Sequence, residues 1–445
     1  MELTGRTDSL PPGFAARKAA LAILSEVLRK KRPLDAAAAE ALGAAKLAPR
    51  DAGFARAIAA TSLRRFGQLE AAIRHFVPKP PSPHKCGPAL EILIAGACEL
   101  LFLNVAPHAA VDAANRLAQA DSKAVHFKGL INAVLRRVAR EGQAAIAAQD
   151  ASLLNTPDWL WPRWVAHFGE ETARSIAQSH LGVPPLDLTL KTEDDPYTDI
   201  EGALQLAPGR LRLQEAGRIE DLPGFTAGRW WVQDFAASLP ARLLGDVAGK
   251  SVIDLCAAPG GKTLQLAARL AQVTSVDISS GRLALVAENL ARVKLRAELV
   301  AADARDWRPP APAPFVLLDA PCIATGTIRR HPDLPWLKGA ADLSICESLQ
   351  AELLEAAADM TQAGGTLLYA VCSLEPEEGE EQIAAFLRRR TEFTRAAIAA
   401  EEVFDPAFVS PEGDLKTLPF YWGDKGGMDG FYAARLRRHS SRPSA

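Results

Sequence analysis

The chain has 445 residues, of which 48% are hydrophobic and 23% charged, and its net charge is −2. That is an ordinary soluble, globular composition, and its length exceeds one typical domain, so two or three are expected. No apolar run approaches the roughly 18 residues of a membrane span, and Met1-Glu2-Leu3-Thr4-Gly5-Arg6 lacks an apolar stretch behind a basic start. Neither a membrane partner nor a secretory signal is expected.

Six cysteines, at 86, 98, 256, 322, 346 and 372, form no CxxC pair and no disulfide-like framework. A reduced, cytoplasmic setting follows, and no structural metal is expected. Cys86, Cys98 and Cys346 read as packing thiols. The small net charge hides an asymmetry: residues 1–150 hold 21 Lys and Arg against 13 Asp and Glu, a surplus of eight cations, which leaves the remainder acidic. A basic first third fits a polyanion-docking module.

Along the chain, residues 12–148 read as an all-helical domain, with apolar positions three and four apart as in Phe14, Leu21, Ile23, Leu24 and Leu28. Pro49 and Asp51 mark a helix start. Pro78-Lys79-Pro80-Pro81-Ser82-Pro83 reads as a loop, and Leu90–Leu103 and Phe127–Arg140 as helices. Residues 149–240 read as a small α+β connector, with a helix near Glu170–Ser179 and strands at Leu186–Lys191, Leu211–Leu213 and Trp230–Val232. From 241 to 438, apolar runs at Ser251–Leu255, Val273–Val276, Ala297–Val300, Phe315–Leu318 and Thr366–Val371 alternate with helical segments. That alternation predicts an α/β, Rossmann-like domain with a mainly parallel sheet.

Chemistry-bearing residues cluster where such strands would end, which is where these sheets bind ligands. The first strand runs into Cys256-Ala257-Ala258-Pro259-Gly260-Gly261-Lys262-Thr263, a glycine turn opening a helix. It is not a P-loop, since the position of the first glycine is Cys256, and G-x-G-x-x-G is missing. Asp277 lies at ribose-gripping distance after the turn. Asp303 and Asp319 are further strand-end acids. A glycine turn without a phosphate cradle suits S-adenosylmethionine, with a nucleotide or no ligand as the other readings.

Cys322 in Asp-Ala-Pro-Cys and Cys372 in Tyr-Ala-Val-Cys-Ser follow two of the strands. A thiolate that adds to C6 of a cytosine makes C5 nucleophilic toward a methyl sulfonium, dividing one hard step into easier ones. Asp319, if protonated, could hold the N3 edge where negative charge develops. Chemistry alone leaves open which thiol attacks.

At Asp254–Thr263, Asp277, Asp303, Asp319–Asp333, Tyr369–Glu381 and Asp429–Arg438 the chain resembles the RNA cytosine-C5 methyltransferase family of Sun type. The resemblance implies Cys372 as nucleophile, Cys322 in product release, and cofactor contacts from the Cys256–Lys262 loop, Asp277, Asp303 and Asp319. It also implies a NusB-like RNA-binding bundle at the N-terminus and a ferredoxin-like connector. Ile323, where a serine is usual, and Phe420, where a histidine often follows the proline, depart from the family pattern. The expected activity is formation of 5-methylcytosine in 16S ribosomal RNA by a monomer, with Arg329 and Arg330 gripping phosphates. Transfer RNA as substrate, or a non-catalytic RNA-binding assembly factor, are the alternatives.

Overall fold

The computed structural model describes residues 13–77, 79–81, 85–193 and 200–440. Pro78, Ser82 and Pro83 of the proline segment lie outside the described residues, as does Met1–Arg6. The chain divides into two compact units. One comprises residues up to Leu181 together with the return segment His331–Gly339; the other holds Gly182–Arg330 and Ala340 onward.

The first unit is helical. Seven helices, Phe14–Lys30, Leu34–Ala45, Pro49–Arg64, Phe66–Phe76, Ala89–Leu101, Pro107–Gln119 and Lys128–Ala147, form a bundle. Nearly every residue of Ala89–Leu101 is buried, so this apolar helix is the centre around which the amphipathic ones pack. Gly96 permits that approach: a Cβ there would stand 2.7 Å from Leu135 Cδ1. The unit extends past the expected boundary at 148. Helix Glu170–His180 belongs to it, and Asn155 explains how residues 151–181 attach: its Oδ1 accepts from Gln68 N at 3.2 Å and its Nδ2 donates to Gln68 Oε1 at 3.0 Å. The expected connector is therefore divided, its helices going to the bundle and its strands to the other unit. In the return segment, Trp336 Nε1 donates to Leu63 O at 2.8 Å and its ring lies 4.9 Å from that of Phe66.

The second unit contains two sheets. Strands β1 (Leu186–Leu190), β2 (Leu204–Ala207), β3 (Arg210–Leu213) and β4 (Trp230–Val232) form an antiparallel sheet in the order β2-β3-β1-β4. That is the ferredoxin-like strand order, but β3 and β4 are joined through a single 3₁₀ turn, Ile219–Asp221, rather than a crossover helix. The large sheet comprises β5 (Ser251–Leu255), β6 (Gln272–Asp277), β7 (Glu298–Ala301), β8 (Ala313–Asp319), β9 (Thr361–Val371), β10 (Phe393–Arg395), β11 (Leu415–Thr417) and β12 (Phe431–Arg438). Its order is β10-β12-β9-β8-β5-β6-β7, with β11 also on β12. From β7 through β9 all pairings are parallel, whereas β12 runs antiparallel to β9. The chain steps from β5 outward to β7 and then crosses back to β8. This creates a switch point beside β5, with strand ends free on both sides to hold a ligand.

Candidate active site

The glycine turn follows β5 directly. Cys256 takes a left-handed φ of 58° and Gly260 one of 103°, and helix Gly261–Ala268 starts there with its N–H groups toward the strand ends. Asp277, at the end of β6, organises the turn: Oδ2 accepts from Ala258 N at 3.1 Å and Oδ1 from Ser279 N at 2.9 Å. The Arg282 guanidinium donates to the Ala258 carbonyl from the neighbouring helix. Asp303 caps the turn after β7, its Oδ1 accepting from Arg305 N at 2.9 Å, and the Arg305 guanidinium holds the carboxyl below the usual aspartate range. A cavity bounded by Cys256, Asp277, Ile278, Asp303, Pro321 and Leu349 lies at these ends. Two carboxylates able to accept from ribose hydroxyls, and apolar walls suited to a flat purine, fit S-adenosylmethionine. Burial pushes the Cys256 thiol up, with Asp319 and Asp277 adding to the effect, so Cys256 lines the cavity as a neutral thiol.

Parallel pairing places the two other thiols together. Asp319 on β8 lies opposite Ala370 on β9, and Ala320 N extends the ladder to Ala370 O at 2.9 Å. Cys322 and Cys372 thus emerge from neighbouring strands, and their Sγ atoms stand 3.5 Å apart. The thiol of Cys322 is pushed well up by its hydrogen bond to Cys372, by burial, and by the charges of Cys372 and Glu378. The turn Thr325–Thr327 supports the Cys372 loop: Gly326 N donates to Cys372 O at 3.0 Å, and Thr325 Oγ1 accepts from Leu374 N at 2.9 Å. Only glycine fits at 326, since a Cβ would fall 2.0 Å from Gly430 O. Beside the thiols, Lys262 Nζ donates to Asp319 Oδ2 at 2.6 Å while lying 4.9 Å from the centre of the Phe431 ring. Sequence spacing assigned Lys262 to the cofactor turn and Asp319 to a strand end, but gave no sign that they form an ion pair.

Arg329 and Arg330 occupy another role than the one expected. Arg329 is 2% exposed, with Nε on Asp429 Oδ1 at 3.0 Å and Nη2 on Asp234 Oδ2 at 3.5 Å. Arg330 pairs with Asp234 Oδ2 at 2.5 Å and with Asp429 Oδ2 at 3.0 Å. Burial would raise Asp234, but the guanidiniums of Arg330 and Arg329 outweigh it and hold the carboxyl at about 2. The expectation that this pair grips phosphate is therefore corrected: each guanidinium is committed to buried carboxylates. Asp429 opens one of the stretches that carry the resemblance, but nothing in the sequence pairs it or Asp234 with Arg329 and Arg330, because these partners lie about a hundred residues away. Among the described residues, no three His, Cys, Asp or Glu side chains converge as a metal site.

A doubly wound sheet with a glycine turn after β5, acids closing β6, β7 and β8, and an antiparallel β12 defines an S-adenosylmethionine-dependent methyltransferase. The comparisons agree. The family described as 16S rRNA methyltransferase RsmB/F matches residues 241–437, and the NusB family matches residues 15–140. Ribosomal RNA small subunit methyltransferase B of Pseudomonas putida is 36% identical over 94% of this chain and 98% of its own. The Vibrio cholerae protein of the same name is 33% identical over 88% of this chain and 91% of its own. The chain belongs to the ribosomal RNA small subunit methyltransferase B family. In fold it resembles the crystal structure of PH0851, with a TM-score of 0.76 and 23% identity over 97% of this chain and 99% of that one. It also resembles NSun6 from Pyrococcus horikoshii with SFG, with a TM-score of 0.54 and 20% identity over 63% and 98%.

Proposed function

We propose that the protein methylates C5 of a cytosine in 16S ribosomal RNA through a covalent adduct between Cys372 and C6, acting as a monomer in the cytoplasm. One observation carries the chemistry: two thiols 3.5 Å apart at the ends of adjacent strands, beside the Lys262–Asp319 pair. The RNA substrate follows the names of the relatives, and the NusB-like helices are consistent with it. When bound, S-adenosylmethionine supplies an electrophilic methyl group.

Cys372 adds to C6, forming the S–C6 bond and moving the ring's π electrons toward C5 and N3. A protonated Asp319 donates to the N3 edge, where negative charge accumulates, with Lys262 as the neighbouring cation. Once C5 carries its methyl group, loss of the C5 proton returns electrons to the ring and expels Cys372. Cys322, adjacent and holding its own proton, is placed to hand that proton to the departing Cys372 sulfur and, as the thiolate then formed, to accept the C5 proton. The base must be unpaired or extruded to reach the thiols.

The test uses the wild type, Cys372→Ala and Cys322→Ala with small-subunit RNA and labelled cofactor, followed by mapping of 5-methylcytosine and gel detection of a covalent adduct. Cys372→Ala is expected to give neither product nor adduct, and Cys322→Ala a persistent adduct. Full activity of Cys372→Ala would overturn the mechanism, and methylation of transfer RNA alone would overturn the substrate.

A further inference from the structure

Glu378, six residues beyond Cys372, has no exposed surface. Its Oε1 accepts from Ile323 N at 3.0 Å and from Gln350 Nε2 at 2.9 Å. Ile323 directly follows Cys322. Gln350, on helix Ala340–Met360, also donates to Pro321 O at 2.9 Å, bracing the other side of Cys322. The Glu378 carbonyl in turn accepts from the Tyr369 hydroxyl on β9 at 2.6 Å. One buried carboxylate, carried on the loop that follows Cys372, thus holds the residue after Cys322.

We propose that Glu378 is the positioning residue that keeps the two thiols chemically distinct, tying both cysteine loops to one buried anion and holding Cys322 as a neutral S–H beside Cys372. The titratable groups around this pair are Cys372 and Glu375 from the same loop, Tyr369 on β9, Tyr432 on β12 and Cys346 on the Gln350 helix. All of these are acids, and the cation beside the thiols, Lys262, has its Nζ on Asp319 Oδ2 at 2.6 Å, so its charge is offset before it can favour a Cys322 thiolate. Burial pushes the Glu378 carboxyl up to about 7, so above neutral pH it places a negative charge beside Cys322. A nearby anion disfavours a second anion, so Cys322 keeps its proton. The assignment of attack to Cys372 rests on the adduct mechanism proposed above; the protonation of Cys322 does not.

The experiment therefore needs no RNA. In full-length Cys372→Ser, with and without Glu378→Gln, Cys322 is alkylated by iodoacetamide across pH 6.5 to 10.5 and quantified by mass spectrometry. The glutamine keeps an oxygen for Ile323 N–H and removes the charge. The expected result is a fall in the Cys322 midpoint of about half a unit to one unit, equivalent to about three- to tenfold faster alkylation at a fixed pH below it. An unchanged or raised midpoint in a protein with wild-type circular dichroism overturns the proposal. Glu378→Asp, which keeps the charge, should retain the high midpoint, and a fall there also overturns it; this variant decides the matter if Glu378→Gln does not fold. Absence of a Cys372 adduct in the wild type would refute the mechanism without altering the outcome expected here.

Discussion

Several residues of the catalytic unit carry charge where solvent does not reach, and Asp254 on β5 is the simplest case. It has no exposed surface; Thr263 Oγ1 donates to its Oδ2 at 2.6 Å, while Oδ1 has no protein partner. Burial drives the carboxyl up to about 7, against the restraining hydrogen bond from Thr263. Because the folded value lies above the unfolded one of about 4, the native state binds the proton more tightly. The associated stability is complete below about pH 4 and is lost as pH rises through 7. Thermal unfolding should therefore occur at lower temperature at pH 8 than at pH 5.5. Asp254→Asn, which cannot ionise, should narrow that gap by about 2–4 °C for each kcal/mol of ionisation cost removed. A gap as wide as that of the wild type, by scanning calorimetry at both pH values, would show that Asp254 does not contribute.

At the scale of elements, the strand ends are what make the site, and these were the most legible part of the sequence. Apolar runs bounded by Asp, Gly or Pro located β5, β6, β8 and β9 to within a few residues at the functional end. Parallel pairing of β8 with β9 then brings Cys322 to Cys372. By contrast β12 was not legible as a strand: Arg435, Arg437 and Arg438 give it a charged appearance. They are satisfied only by tertiary partners, such as Glu402 for Arg435 and Thr366 Oγ1 for Arg437. The same holds for Arg212 on β3, which a local reading treats as a solvated cation. It is fully buried, with Nε and Nη2 on the two oxygens of Asp187 at 2.6 and 2.7 Å and Nη1 on Gly427 O at 2.6 Å. The small sheet is thereby tied to the loop that carries Asp429. Arg212→Leu leaves Asp187 buried without its cation, so chemical denaturation should show a loss of about 3–5 kcal/mol. Replacing both members with apolar residues should recover much of that loss. A single variant within 1 kcal/mol of the wild type would mean that solvent reaches Asp187.

For the whole molecule, the distribution of charge decides where a polyanion can be held. The surplus of cations lies in residues 1–150, while Arg329 and Arg330 of the catalytic unit are committed to Asp234 and Asp429. The expected place for phosphate binding is therefore the exposed cations of the helical unit. Helices Pro107–Gln119 and Lys128–Ala147 border a cleft lined by His108, Asn115, Arg136 and Arg140, with both arginines exposed. Ion pairs of this kind position RNA without reading its sequence, and they release counterions when they form. Replacing Arg136 and Arg140 with glutamine removes the charge and leaves the helix intact, as both are good helix formers. The affinity for small-subunit RNA should fall, and the slope of log affinity against log salt should become shallower by about 0.7–0.9 for each phosphate no longer neutralised. Filter binding over a salt series measures both quantities. An unchanged slope in the double variant would place phosphate binding elsewhere, because poorer shape complementarity lowers affinity at every salt concentration alike, whereas a phosphate deprived of its arginine retains its counterions and must change the slope.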